Sequence, residues 1–149
     1  MKRAQYAGRD FRRAVNIEDL RRIARRRLPN FSFEYVEGGS EDELALRRNR
    51  DVFERIAWVP RTLASVGSPD LATEILGDSC HLPLVIAPTG FNGLLWPQGD
   101  LALAKAAADA GIPFTLSTVS NYPVAKLTAE VPGRTWFQLY PMKEGRVVD

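Results

Sequence analysis

The chain has 149 residues, 45% of them hydrophobic and 26% charged, a balance typical of one globular domain. No apolar run reaches the roughly 18–20 residues needed to span a bilayer, and the basic N-terminus lacks the apolar core of a secretory signal, so a cytoplasmic protein is predicted. The single cysteine, Cys80, excludes an internal disulfide, and without a cysteine cluster no metal site is predicted.

Positive charge is concentrated at the N-terminus. Residues 1–28 contain ten Lys/Arg and three acidic residues, a net charge of +7, so the rest carries −5 to give +2 overall. Such a segment suits a solvated helix face or an anionic membrane surface. No nucleic-acid motif accompanies it, so no nucleic-acid partner is predicted. Residues 1–15 are predicted to be a basic disordered tail, and peripheral membrane contact stays open.

A helical segment is predicted over residues 16–67. Asn16 is a suitable N-cap, and apolar side chains then recur at helical spacing; these are Ile17, Leu20, Ile23, Ala24 and Leu28. Pro29 ends this helix or kinks it. After a short aromatic stretch, Ser40 to Glu43 match a capping box that predicts a second helix through about Arg55.

Strands and helices alternate in the rest of the chain. Residues 57–80 are predicted to form a connector with one short strand near Ala72 to Leu76. Three apolar strands follow, a run from Leu82 that breaks at Pro88-Thr89-Gly90, a run from Pro113 to Thr118, and a run from Thr135 to Leu139. Helices from Gly99 to Ala110 and from Val124 to Glu130 separate them. This order predicts parallel βαβ units. A doubly wound sheet shows the same order but normally carries a Gly-rich phosphate loop, which is absent here.

Polar groups stand where the predicted strands end. Pro88 and Gly90 break the first run, Ser117 lies at the end of the second, and Gln138 and Tyr140 alternate with apolar residues on the third. The carboxyl ends of parallel strands meet at one edge, where ligands bind. A ligand site is therefore predicted, against the alternative that Gln138 and Tyr140 are core residues bonded to neighbouring backbone.

Several of these segments resemble the flavin-dependent 2-hydroxy acid oxidase and dehydrogenase family, which includes glycolate oxidase, L-lactate dehydrogenase and (S)-mandelate dehydrogenase. Order and spacing match from about residue 16 to the end. The matching stretches are Leu28-Pro29, Tyr35 to Glu43, Asn49 to Phe53, Pro83 to Gly90, Pro97 to Ala104, Leu116 to Thr118 and Phe137 to Tyr140.

The resemblance implies an α/β fold, the N-terminal part of a (β/α)8 TIM barrel preceded by a helical segment. Residues 68–149 would form its first three βα units, with FMN at the carboxyl ends of the strands. Pro88, Thr89 and Gly90 would lie against the flavin, and Ser117 and Gln138 would contact it. Tyr140 would stabilise charge on the substrate oxygen, and Tyr35 would bind the substrate carboxylate.

The implied activity is oxidation of a small lactate- or mandelate-like 2-hydroxy acid to the 2-oxo acid. Gly90 resembles the mandelate-type enzymes, which favours a dehydrogenase passing electrons to a quinone or other carrier over an oxidase using dioxygen. The complete enzyme is expected to be a homo-oligomer. Because a full barrel needs about 250 residues, the isolated chain is expected to bind FMN weakly or not at all and to be inactive.

Three alternatives stay open at this point. The chain is one half of a split enzyme, or a non-catalytic interaction module that uses its Arg-rich N-terminal helix. A third, weaker alternative is another FMN- or phosphate-binding barrel, which would not need Tyr35, Gln138 and Tyr140 together.

Overall fold

The computed structural model describes residues 8, 10–63 and 67–141. The chain divides into two compact units, Met1–Ser65 and Val66–Asp149. Within the described residues, no helix is long and apolar enough to cross a membrane. Part of the predicted basic tail forms a short 3-10 helix, Phe11–Arg13, which Asp10 caps. Most of residues 1–9 lie outside the described part, so the disordered tail stays a prediction.

The first unit contains three α-helices, α1 (Ile17–Arg27), α2 (Asn30–Glu37) and α3 (Leu44–Arg55). Asn16 caps α1 as predicted, because its Oδ1 accepts a hydrogen bond of 2.8 Å from the Asp19 backbone N–H. Pro29 ends this helix and does not kink it, since Leu28 before it is extended. The aromatic stretch that follows is helical. Of the predicted apolar stripe, Ile23 is buried.

The predicted capping box before α3 is wrong in its details. Glu43, not Ser40, precedes the helix, and it has a left-handed φ of 57° without a side-chain cap. The Ser40 carbonyl, not its hydroxyl, accepts the Glu43 N–H. The Glu43 carboxylate accepts from Gly39 N at 3.1 Å, one residue before the capping-box position. The local turn therefore delays the helix to Leu44, although its end at Arg55 is as predicted.

The second unit begins with an antiparallel hairpin of β1 (Thr73–Ile75) and β2 (Asp78–Cys80). The predicted strand corresponds to β1, whereas β2 was not predicted. Leu76 and Gly77 form the two-residue turn, with φ of 53° and 81°. Positive φ at both positions is the geometry of the tight hairpin turns that match strand twist.

Parallel pairing follows, as predicted. Strands β3 (Phe114–Ser117) and β4 (Thr135–Gln138) pair in parallel, with α5 (Val124–Glu130) between them. The first of the three predicted apolar strands, which starts at Leu82, is wrong in extent. Only one parallel bridge, between Ile86 and Phe114, forms in this run. Pro83 has no N–H to give a ladder, and Leu84 N instead donates to Leu82 O at 2.8 Å in a tight turn.

The core of the second unit lies between the strands and α4 (Gly99–Ala110), whose bounds are as predicted. Small side chains on α4 allow close packing against β3. Gly111 ends the helix with φ of 64°, and its N–H donates to the Ala107 and Ala108 carbonyls. Leu127 of α5 is fully buried, as predicted. The buried core consists of Leu101, Ala104, Ala107, Phe114, Leu116, Leu127 and Val131.

Candidate functional site

The carboxyl ends of β3 and β4 bring two predicted site residues into direct contact. The parallel register pairs Ser117 with Gln138, and Ser117 Oγ donates to Gln138 Oε1 at 3.2 Å. Ser117 is buried and also accepts from Val119 N at 3.3 Å. Its hydroxyl therefore orients the Gln138 amide. Direct contact of Ser117 with a flavin stays a prediction.

The Gln138 amide has an open donor. Its Oε1 is used by Ser117, and within residues 67–141 no protein acceptor bonds its Nε2. The side chain is half-buried, so the amide is neither a satisfied core group nor fully solvated. An oriented donor at a strand end suits the carbonyl oxygens along the edge of a flavin ring.

Thr118 holds the chain beyond β4. Its Oγ1 donates to the Gln138 carbonyl and accepts from Tyr140 N at 3.0 Å. Because this side chain replaces a backbone partner, β4 ends at Gln138, one residue short of the predicted end at Leu139. Tyr140 is 42% exposed, so it is not a core residue. Sequence reasoning did not include Thr118 in the site, although a hydroxyl directly after a strand was a usable signal.

The Pro88-Thr89-Gly90 corner lies against the end of β3. Phe91 N donates to Val119 O at 3.1 Å. A Cβ at Gly90 would lie 2.5 Å from Val119 Cγ2 and 3.9 Å from Ser117 Oγ. A methyl group at position 90 would therefore force the Val119 side chain to shift. Pro88 and Thr89 are exposed. Within this unit, the structure brings together the corner, Ser117 and Gln138.

A buried polar cluster below the corner was missed by sequence reasoning. Asp100 accepts from Asn92 Nδ2 and from Ser120 Oγ, each at 2.6 Å. Asp100 and Asn92 are 2% and 6% exposed. Buried polar side chains are as a rule hydrogen-bonded. The cluster therefore holds the loops of Asn92 and Ser120 against the start of α4. The one signal in the sequence was an acidic residue in the first turn of an otherwise apolar helix.

Tyr35 belongs to the first unit. It lies on α2, and its side chain is 63% exposed. Its predicted convergence with Gln138 and Tyr140 stays a prediction.

Carboxylates pair with several arginines of α1. Arg21 donates to Glu37 and Glu18, and Arg22 donates to Asp19. Hydrogen bonding by Arg21 lowers the pKa of the Glu37 carboxyl, and the same contacts raise the pKa of Arg21 above its ordinary value. The Arg25 guanidinium lies 5.0 Å from the Phe33 ring centroid. Much of the positive charge on this helix is therefore balanced locally.

No group of three or more His, Cys, Asp or Glu side chains in the described ranges could hold a metal ion. The only histidine, His81, is exposed and packs over Gly111.

Comparisons with known proteins identify the family. The family model for FMN-dependent dehydrogenases matches residues 24–149. (S)-Mandelate dehydrogenase of Pseudomonas putida is 50% identical over 125 residues, which are 84% of this chain and 32% of that protein. A putative L-lactate dehydrogenase of Mycobacterium tuberculosis is 46% identical over 88% of this chain and 32% of its own length. The chain thus spans about a third of the curated relatives it matches.

The fold comparison gives the same result. A crystal structure of monotopic membrane protein (S)-mandelate dehydrogenase superposes with a TM-score of 0.80 at 48% identity, over 86% of this chain and 34% of that one. The likeness confirms the predicted fold class, the N-terminal part of a (β/α)8 barrel preceded by helices. FMN is the cofactor of this family. The chain belongs to the FMN-dependent dehydrogenase family.

Proposed function

We propose that this chain is the N-terminal part of an FMN-dependent 2-hydroxy acid dehydrogenase, which oxidises a lactate- or mandelate-like acid to the 2-oxo acid. One observation carries the proposal. The ends of two neighbouring parallel strands present an amide donor, Gln138, that Ser117 orients and that no protein group within residues 67–141 uses. Similarity to an (S)-mandelate dehydrogenase and a putative L-lactate dehydrogenase supports the reaction class.

The residues present fit FMN. A flavin ring needs donors along its carbonyl edge and close backbone approach on one side. Gln138 supplies the donor, and the corner of exposed Pro88 and Thr89 and half-buried Gly90 supplies backbone without bulky side chains. When bound, FMN supplies the two-electron chemistry of the reaction.

Two phenols serve the substrate in this proposal. Tyr140, which Thr118 fixes through its backbone N–H, would donate to the substrate oxygen on which charge develops. Tyr35 would donate to the substrate carboxylate. A phenol donates a hydrogen bond without adding a formal charge, so both groups bind an anionic acid and leave the proton transfer to a separate base.

Replacing Tyr140 tests this role. The test protein joins this chain to the part of P. putida (S)-mandelate dehydrogenase that follows the aligned region, hereafter the completed protein. Tyr140→Phe keeps the backbone bond to Thr118 and removes only the hydroxyl. We expect unchanged FMN content and a fall in kcat with (S)-mandelate of about a hundredfold, the typical effect of losing one such donor.

The control is Tyr122→Phe, because the Tyr122 hydroxyl instead donates to Glu130 at 3.0 Å, on α5. Its kcat should equal that of the unsubstituted protein. Equal activity in the Tyr140 and Tyr122 variants would refute the proposed role of Tyr140.

We propose that the electron acceptor is a quinone or other carrier and not dioxygen. The support is the similarity to a protein named as a dehydrogenase and the glycine at position 90. The reduced completed protein, mixed with air-saturated buffer in a stopped-flow instrument, should reoxidise slowly and should reoxidise rapidly with a soluble quinone. Rapid reoxidation by dioxygen would contradict the proposal.

Similarity to a solved relative also supports a proposal for the cellular location. We propose a cytoplasmic protein that contacts the inner face of the membrane peripherally, supported by the solved relative described as a monotopic membrane protein. The arginines of α1 give this contact limited help, because Arg21 and Arg22 are paired with carboxylates of the same unit. The same pairing gives an interaction module based on this helix no specific support. A homo-oligomeric state stays a prediction.

A further inference from the structure

We propose that Asp100 is a positioning residue, which holds the Pro88–Gly90 corner and the loop after β3 in one fixed arrangement. Its carboxylate lies in the first turn of α4 and uses one oxygen for each loop. The inference rests on the proposed function for what the two loops bind, but the arrangement itself is independent of any ligand.

The first connection runs from Asp100 to the corner. Asn92 Nδ2 donates to Asp100 Oδ1 at 2.6 Å and to the Thr89 carbonyl at 3.1 Å. One amide group therefore links the helix to the backbone of the predicted flavin-contacting residues. Because both Asp100 and Asn92 are buried, water cannot replace these bonds at low cost.

The second connection runs from Asp100 to the loop after β3. Ser120 Oγ donates to Asp100 Oδ2 at 2.6 Å and accepts from Tyr122 N at 2.9 Å. The two loops also bond each other directly, through Phe91 N to Val119 O and Gly93 N to Asn121 Oδ1 at 3.2 Å. A buried carboxylate is favourable at this place because the N-terminal turn of a helix attracts negative charge.

The charge and the two acceptor oxygens of its carboxylate suit Asp100 to this positioning role. A carboxylate only accepts, and its two oxygens meet two donors from different loops. An alanine would remove the shared acceptor of both donors, the buried Asn92 amide and the half-buried Ser120 hydroxyl. A merely structural role would affect the whole unit, whereas a positioning role concentrates the effect on the amides of the two loops and on the ligand they hold.

Hydrogen exchange measured residue by residue in the 149-residue chain tests the arrangement. Asp100→Ala removes both connections, and we expect exchange at the Phe91 and Tyr122 amides to become about tenfold faster or more, as for lost bonds to a charged group. The control is Asp109→Asn, an exposed carboxylate on the same helix, which should leave both rates unchanged.

A double variant that swaps the two side chains, Asn92→Asp with Asp100→Asn, is hereafter called the exchanged pair. It separates the two connections and covers the case in which the alanine variant does not fold. Asn at position 100 can donate to Asp at position 92 and accept from Ser120, but position 92 then has no donor for the Thr89 carbonyl. We expect the Tyr122 amide to regain its protection and the Phe91 amide to stay fast. Recovery of both amides would overturn the role assigned to the Thr89 contact, and rates within twofold of the control in all variants would overturn the inference.

The completed protein provides the ligand measurement. Asp100→Ala and the exchanged pair should each raise the FMN dissociation constant about tenfold, and Asp109→Asn should not change it. FMN affinity that is fully restored in the exchanged pair would overturn the role assigned to the Thr89 contact. If the unsubstituted completed protein takes up no FMN, the proposed function fails, and the exchange rates still decide whether Asp100 positions the loops.

Discussion

At the scale of single residues, the contact between Gly90 and Val119 leaves no room for a methyl group. A Cβ at position 90 would come within 2.5 Å of Val119 Cγ2, closer than carbon atoms approach without displacement. The close approach therefore couples the side-chain size tolerated at position 90 to that at position 119. The two residues should therefore be treated as a pair, and a substitution at one changes what the other tolerates.

Gly90→Ala is expected to lower the free energy of unfolding by about 1–3 kcal/mol, the usual cost of overpacking. Adding Val119→Ala should recover part of this loss, because the new methyl group then occupies the vacated space. Chemical denaturation of the chain measures both effects. Gly67→Ala is the matched control, since nothing lies within 4 Å of a Cβ there, and it should change stability by less than about 0.5 kcal/mol. Strictly additive effects of the two substitutions would refute the pairing.

Some residues of the candidate site were predicted from the sequence and others were missed, for a physical reason. Ser117 and Gln138 were predicted because polar groups at the ends of apolar strands are visible in a local pattern. Asn92, Asp100 and Thr118 were missed because their partners are fixed by folding, as with Thr118 and Tyr140, which are 22 positions apart. A short sequence window contains only one member of such a contact.

At the scale of elements, the pair Arg21–Glu37 links α1 to the C-terminal end of α2. The hydrogen bond from Arg21 lowers the pKa of Glu37 in the folded chain from 4.5. The ionised carboxylate is therefore bound more strongly when folded. Its contribution to stability is present above pH 4.5 and is lost as the pH falls through the lowered pKa.

Unfolding of the chain followed by circular dichroism against pH tests this contribution. Glu37→Gln should lower stability slightly at pH 7 and should reduce the loss of stability on acidification, because the titrating group is gone. The effect should be small and should weaken with salt, since both side chains are partly exposed. Glu54→Gln on α3 serves as the exposed control. An identical pH dependence in the Glu37 variant and the parent would contradict the account.

The elements also show where sequence patterns succeed. Helices α4 and α5 have the predicted bounds, because a small apolar face, a terminal glycine and a preceding proline are strong local signals. Strand β2 was missed, because its pairing depends on the turn at Leu76-Gly77 and its three residues, Asp78 to Cys80, carry no apolar alternation. The first barrel strand was overextended, because Pro83 removes a ladder donor within an apolar run.

At the scale of the whole molecule, this chain provides part of a barrel and part of a site. Its described parallel strands end at Ser117 and Gln138, beside the corner at Gly90, whereas a barrel needs eight strands to close. We therefore expect the isolated chain to take up little or no FMN and the completed protein to take it up. If mixing the isolated chain with the separate remaining part restores flavin absorbance, the two-chain version of the enzyme is supported, and a failure to restore it refutes that version.

The most direct test of the central claim is the FMN dissociation constant of the completed protein before and after Gln138→Glu. Glutamate keeps the size of the side chain and an oxygen for the Ser117 hydroxyl, but it replaces the amide donor with an acceptor. We expect an affinity at least about tenfold weaker with nearly unchanged thermal stability. An unchanged affinity for FMN would show that the amide at position 138 does not face the flavin, and the proposed site would be wrong.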